Sequence, residues 1–224
     1  MGFRRLAVNT VLKGLLTVLC RIDSREFVEA LSRNKPLLVV FNHVNFLEVP
    51  ILVTHSYPLN VTGIVKSETW NNPIFAFLFN TYQAIPIDRG GAFSETFKRV
   101  RQAIDDGFFM CIAPEGTRSK NGVLKHGKAG VVQLALDADV PILPVVHYGG
   151  ERIWENIRHL KRTSFCFKAG RPFRIRVEGR PGREEREEIL KEVMGQMARL
   201  LPEQMRGIYS GQAERECKYL DFLQ

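Results

Sequence analysis

The chain has 224 residues, 45% hydrophobic and 25% charged, a balance that fits one globular domain with a sizeable core and excludes a disordered chain. Its formal net charge of +8 points to an anionic partner, such as a membrane surface or an acidic substrate. No RNP-like run, zinc-finger spacing or basic-region heptad accompanies that charge, so no nucleic-acid partner is expected.

The first predicted element lies in "RRLAVNTVLKGLLTVLCRI", which begins at Arg4 and Arg5. Leu12, Leu15, Leu16 and Leu19 recur there at helical spacing, while Asn9, Lys13 and Arg21 can lie elsewhere. A signal peptide needs a small-residue cleavage site after its apolar run, and Cys20, Arg21, Ile22 and Asp23 fit poorly. A spanning helix needs roughly 20 mostly apolar residues, and Lys13 near the middle costs about 2.5–3.5 kcal/mol on insertion. The pattern instead predicts an amphipathic helix, lying in a membrane interface or packed on the protein's own core. Gly2 is followed by Leu6 where a myristoylation signal has Ser or Thr, so lipidation is not expected.

Downstream, short apolar runs alternate with amphipathic stretches. Buried strands are predicted at 36–41, 61–65, 84–87, 108–113 and 141–146, with helices near 67–79, 93–106 and 128–138. Two further strands are expected within 164–179, then a helix from Arg183 whose first turns carry Glu184, Glu185, Glu187 and Glu188. This alternation predicts an α/β fold with a mixed, largely parallel sheet flanked by helices, preceded by the amphipathic segment. The boundaries are 1–32 for the N-terminal segment, 33–211 for the α/β domain and 212–224 for a polar tail. Cys20, Cys111, Cys166 and Cys217 form no CxxC pair, which speaks against a zinc or redox motif and fits a reduced, cytosolic-side compartment.

In open α/β sheets, ligands bind beyond the carboxyl ends of the strands. "FNHVNFLEVP" places His43 directly after one apolar run, with Glu48 five positions later. Neutral imidazole is a base suited to physiological pH, and a carboxylate on its second nitrogen fixes the tautomer. To meet, the two must turn a corner, His43 in the loop and Glu48 in the first turn of the next helix. No GxSxG serine accompanies them, so the base would act on a substrate hydroxyl. Spacing alone favours a plain loop histidine. "PEGTRSKNG" follows a second apolar run. Glu115, Gly116, Thr117 and Arg118 offer a guanidinium, a hydroxyl and backbone N–H groups that suit a phosphate monoester; the alternative is a polar surface turn. Lys66 and Arg89 follow two more strands, so four strand ends carry His43, Lys66, Arg89 and Arg118 and predict a cationic cleft.

Four ordered blocks, "NHVNFLE", "VKSETWNNPIFAFLFNTYQAIPIDRG", "APEGTRS" and "VPILPVV", run from Asn42 to Val146. With them the sequence resembles the glycerolipid acyltransferase family, which includes 1-acylglycerol-3-phosphate acyltransferases. The resemblance implies acyl transfer from acyl-CoA or acyl-carrier protein to the hydroxyl of a lysophospholipid. A different acceptor, such as glycerol-3-phosphate, a lyso-aminolipid or a glycolipid, or a non-catalytic lipid- or anion-binding role, is the alternative. By the same resemblance His43 is the general base and Glu48 its partner. Lys66 and Arg118 bind the acceptor phosphate with Arg89 nearby, and Glu115, Gly116 and Thr117 build the loop. No metal or bound cofactor is implied, and the protein is expected on the cytoplasmic face of a membrane as a peripheral enzyme. The apolar run 73–79 is either the wall of an acyl tunnel or ordinary core. The family's usual Asp is Glu at position 48, which makes the geometry of the pair an open point. His126 has no assigned role, and His55, His147 and His159 are expected to be structural.

Overall fold

The computed structural model describes residues 2–87 and 93–223, with residues 93 and 94 described in backbone only. Helix α1 (Gly2–Leu19) leads into strand β1 (Cys20–Asp23) and helix α2 (Arg25–Arg33). Then come β2 (Leu38–Phe41), α3 (Glu48–His55), β3 (Val61–Lys66), α4 (Pro73–Tyr82), β4 (Ile85–Ile87), α5 (Phe93–Asp105) and β5 (Phe109–Ile112). The second half adds α6 (Gly130–Ala138), β6 (Ile142–Tyr148), α7 (Ile153–Arg158), β7 (Thr163–Ala169), β8 (Phe173–Ile175), α8 (Arg183–Leu200) and β9 (Leu220–Phe222).

The strands form one mixed sheet in the order β1-β7-β6-β2-β5-β3-β4, with β8 and β9 attached beside β6. The stretch β6-β2-β5-β3-β4 is parallel throughout. All four residues of β2 are buried, as expected for a central strand covered on both faces. One core layer packs α5, α6 and α8 against the sheet, and another packs α2, α3 and part of α1 against its opposite face. The fold class expected from sequence is therefore the one found. After β2 the chain fills one side with β3, β4 and β5 and then crosses to β6 on the other. The strand order thus reverses at β2, the kind of place where α/β proteins open a crevice.

Three local expectations are corrected. Residues 1–32 are not a separate segment, because β1 joins the sheet beside β7 and α2 buries Phe27 and Leu31 in the core. The polar stretch 212–224 contains β9, which pairs with β8, so it is not merely a tail. The helix expected over 67–79 is broken: a 3-10 turn covers Ser67–Asn71, and α4 then starts afresh. Asn72 Oδ1 accepts from the Ile74 and Phe75 N–H groups, and Pro73 sits where its missing N–H costs nothing.

Helix α1 has two apolar faces. Leu16 is buried, and Val8 and Leu12 pack on the core, while Phe3, Val11, Leu15 and Val18 are exposed. The leucine stripe read from the sequence is thus divided between core and surface. Arg5 is not a free cation either: it donates to Asn60 Oδ1 at 2.5 Å and to Leu59 O at 3.0 Å.

Candidate active site

His43 stands two residues beyond β2, and Glu48 opens α3. The corner between them is held by Asn45, whose Oδ1 accepts from Leu47 N–H at 2.8 Å and whose Nδ2 donates to Gly150 O at 3.0 Å. His43 Nδ1 lies 2.5 Å from Glu48 Oε2, so the two do meet across the turn. The His43 side chain keeps 26% of its surface accessible, whereas that of Glu48 has none. With Nδ1 on the carboxylate, Nε2 is the nitrogen left for a ligand.

The longer arm of Glu is accommodated by folding back. Glu48 Oε1 accepts from Val44 N–H at 2.7 Å and also from Asn45 N–H, an anchoring like that of a capping-box glutamate. The same oxygen lies 3.1 Å from Nε2 of His147, a fully buried ring at the end of β6. Burial by itself pushes the Glu48 carboxyl upward. The two neighbouring imidazoles, His147 and His43, outweigh it and hold the group down to about 2. Glu48 is therefore ionised at neutral pH.

The "PEGTRS" loop lies against this corner because β5 is the parallel neighbour of β2. Glu115 is buried and turned inward: its Oε1 accepts from His43 N–H at 2.7 Å and its Oε2 from Lys125 N–H at 2.9 Å. Both carboxylate oxygens are thus spent on backbone groups, which makes Glu115 a brace of the site and not a substrate contact. Burial pushes its pKa up, against the opposing effect of those two N–H donors. His43 O in turn accepts from Ser119 N–H at 2.7 Å. Gly116 has φ +66°, and a Cβ there would come within 3.2 Å of the Lys128 side chain; only glycine takes this conformation freely. Thr117 and Arg118 are exposed.

Lys66 ends β3, two strand positions from β2, or about 10 Å along the sheet edge. Lys66 and Arg118 are exposed; among the described residues neither side-chain head has a hydrogen-bonding or ionic partner. Arg89 lies outside the described residues. The parallel strands therefore bring His43, Lys66 and the Glu115–Arg118 loop to one edge. Among the described residues no three His, Cys, Asp or Glu side chains gather as a metal site.

Of the histidines expected to be structural, His55 bonds Ser24 Oγ at 2.8 Å, and His159 Nδ1 lies 2.9 Å from Glu155 O. His147 differs, because it touches the carboxylate that holds His43. Its sole sign in the sequence is a polar residue closing an otherwise apolar strand. Phe46, inside the His43–Glu48 loop, stacks on Trp154 of α7 with ring centroids 5.1 Å apart. The run 73–79 is not core, since Ile74, Phe75 and Phe77 are all exposed.

The family described as Acyltransferase matches residues 24–148, which include every residue of this site from His43 to His147. An N-acylphosphatidylethanolamine synthase of Arabidopsis thaliana is 29% identical over 141 residues, covering 57% of this chain and 49% of that protein. A 1-acyl-sn-glycerol-3-phosphate acyltransferase of Cocos nucifera is 32% identical over 124 residues, covering 54% of this chain and 40% of that protein. The chain spans about half the length of the curated relatives it matches. Among solved structures, the 1-acyl-sn-glycerophosphate (LPA) acyltransferase PlsC from Thermotoga maritima aligns with a TM-score of 0.54 at 20% identity, over 86% of this chain and 81% of that one. That likeness shows a shared fold.

Proposed function

This chain belongs to the acyltransferase family, and from that premise we propose that it transfers a fatty acyl group from acyl-CoA or acyl-carrier protein to the hydroxyl of a lysophospholipid such as 1-acylglycerol-3-phosphate. The observation that carries the reading is the 2.5 Å contact between His43 Nδ1 and a buried, ionised Glu48. In the proposed step, His43 Nε2 takes the hydroxyl proton as the oxygen attacks the thioester carbonyl carbon. The tetrahedral intermediate collapses, the C–S bond breaks, and the leaving sulfur takes the proton from His43. Glu48 stabilises the imidazolium between these two events. Lys66 and Arg118, with Arg89, would receive the acceptor phosphate.

The test is a panel assay. The full chain is incubated with labelled acyl-CoA and, separately, 1-acylglycerol-3-phosphate, glycerol-3-phosphate, a lysophosphatidylethanolamine and phosphatidylethanolamine, and products are identified by mass. The last acceptor is included because of the Arabidopsis relative's name. Preferred acylation of 1-acylglycerol-3-phosphate supports the reading; acylation of the ethanolamine nitrogen alone would replace it with an amide-forming one.

Arg118→Ala is expected to lower kcat/KM for the phosphate-bearing acceptor by about tenfold or more, the loss of a hydrogen bond to a charged group (about 1.5–3 kcal/mol). An acceptor lacking the phosphate should change little. Equal losses on both would assign the Arg118 side chain to holding the loop.

Among the described residues no helix is long and apolar enough to cross a membrane. The exposed Phe3, Val11, Leu15 and Val18 of α1 lie on a helix that Arg4 ties to α4 through Asn80 O, and α4 adds the exposed Ile74, Phe75 and Phe77. We infer that these apolar side chains enter a lipid surface at the cytoplasmic face, with Arg4 and Lys13 among the cations nearest to it. Replacing Phe3, Val11 and Val18 together by Ser should reduce sedimentation with anionic liposomes by about tenfold or more, since each buried side chain contributes about 1.5–3 kcal/mol. Unfolding should not follow, because the core-facing Val8, Leu12 and Leu16 are kept. Undiminished sedimentation of the folded variant would show that this face is not the anchor.

A further inference from the structure

We propose that His147 is a positioning residue for the reaction: from β6 it holds one oxygen of Glu48 so that the other stays aimed at His43 Nδ1. This rests on the functional reading given above.

The placement follows from strand register. Phe41 of β2 stands beside Val145 of β6, so two residues further on His43, past the end of β2, comes level with His147, still within β6. Asn42, between them in space, locks the approach. Its Nδ2 donates to His147 O at 2.9 Å, and its Oδ1 accepts from His147 N–H at 2.8 Å. The His147 ring is fully buried against Phe165 and Phe167, with centroids 6.1 and 5.4 Å away. Its Nε2 faces two acceptors, Glu48 Oε1 at 3.1 Å and Asn42 O at 3.1 Å. Nε2 must therefore carry a hydrogen. Nδ1 has no hydrogen-bond partner among the described residues, which favours the neutral Nε2–H tautomer.

A ring kept here only for volume would be served better by Phe or Leu, because burying a polar ring costs free energy unless its polar atoms are used. The atom that is used donates to Asn42 O and stands 3.1 Å from Glu48 Oε1. Glutamate has one more rotatable bond than aspartate, so its carboxylate needs more fixing. Three hydrogen bonds fix it, from Val44 N–H and Asn45 N–H on Oε1 and from His43 on Oε2, and His147 Nε2 stands 3.1 Å from Oε1. Without His147 the carboxylate becomes more basic and freer to turn. A more basic partner binds the Nδ1 hydrogen more strongly and raises the pH at which His43 loses its proton. Glu115, from the loop after β5, also faces this pair and contacts His43 through the backbone; it is unchanged by the substitution.

The test uses the full chain, with nitrogen-15 NMR of the imidazoles beside kcat/KM. In the unmodified protein, His147 should show the neutral Nε2–H tautomer at neutral pH; an Nδ1–H tautomer would overturn the proposal. In His147→Leu, His43 should titrate at higher pH and kcat/KM should fall by about 10–100-fold, the usual range for a group that orients a catalytic ligand. His147→Gln, which keeps a donor, should recover most of both. In a Glu48→Gln background, His147→Leu should add less than about a threefold further loss, because its effect runs through the carboxylate. A folded His147→Leu with an unmoved His43 titration, or with losses that multiply fully in the double variant, would overturn the proposal. If His147→Leu does not fold, the tautomer of the unmodified protein decides. The NMR readouts need no turnover, so absence of acyl transfer would sink the functional reading and leave this contact separately judged.

Discussion

His43→Ala is expected to lower kcat/KM for acyl transfer by about 10²–10⁴-fold, the usual contribution of a general base, with the fold retained. The side chain is one-quarter exposed, and among the described residues its ring makes one hydrogen bond, to Glu48. The contacts that brace the loop use the His43 backbone instead: its N–H donates to Glu115 and its carbonyl accepts from Ser119. Both survive truncation to Ala. The variant should therefore show an unchanged far-ultraviolet spectrum and melting transition within a few degrees of the parent. A folded His43→Ala enzyme with near-normal turnover would remove His43 from the chemistry.

The second large effect is at Glu48, and the two conservative changes should differ sharply. In Glu48→Gln, one carbonyl oxygen must serve donors on both sides of the side chain. Two of them, Val44 N–H and Asn45 N–H, point at the Oε1 position, with His147 Nε2 3.1 Å away, so the oxygen belongs there. The amide NH₂ then faces His43 Nδ1, which has to become an acceptor, and the hydrogen moves to Nε2. That is the wrong tautomer for a base; the same exchange in a serine-protease triad costs about 10⁴-fold, and a loss of about 10³–10⁴-fold is expected here. Glu48→Asp keeps the charge and shortens the arm, which should cost about tenfold through looser contacts to Val44 and His147, on the scale of a catalytic group displaced slightly from its working position. Steady-state kcat/KM for both variants is the check. Equal losses would mean that position 48 serves packing alone. The depressed Glu48 value near 2 also has a stability consequence. The ionised form stabilises the folded corner at full strength above the ordinary carboxylate range, and that contribution is lost as pH falls toward 2.

Much of this arrangement was legible in the sequence because its signals are local. A fully buried parallel strand reads as an unbroken apolar run, and "PLLVVF" placed His43 at a strand end for that reason. The acidic residue of "NFLE" falls in the first turn of α3, and "PEGTRS" follows β5 in the same way. What was not legible depends on distant parts of the chain. His147 is 105 residues from Asn42, which holds it; nothing near it in the sequence announces a carboxylate partner. The strands "CRID" and "LDF" are short, and they acquire strand character from β7 and β8, which pair with them. Arg5 reads as a free cation beside an apolar helix, yet its guanidinium is taken by Asn60 and Leu59 from the loop before β3. The leucine stripe of α1 had the right period but not the right partition, since the helix has apolar residues on the core side and on the open side.

The account stands most directly on one bond exchange. Purified full-length protein is given acyl-CoA and 1-acylglycerol-3-phosphate, and free thiol and acylated lipid are measured together over time. For the proposed reaction, thiol release depends on the acceptor and matches, mole for mole, a product heavier than the acceptor by one acyl group joined as an ester. Thiol release that is independent of acceptor, with free fatty acid as the product, would contradict it.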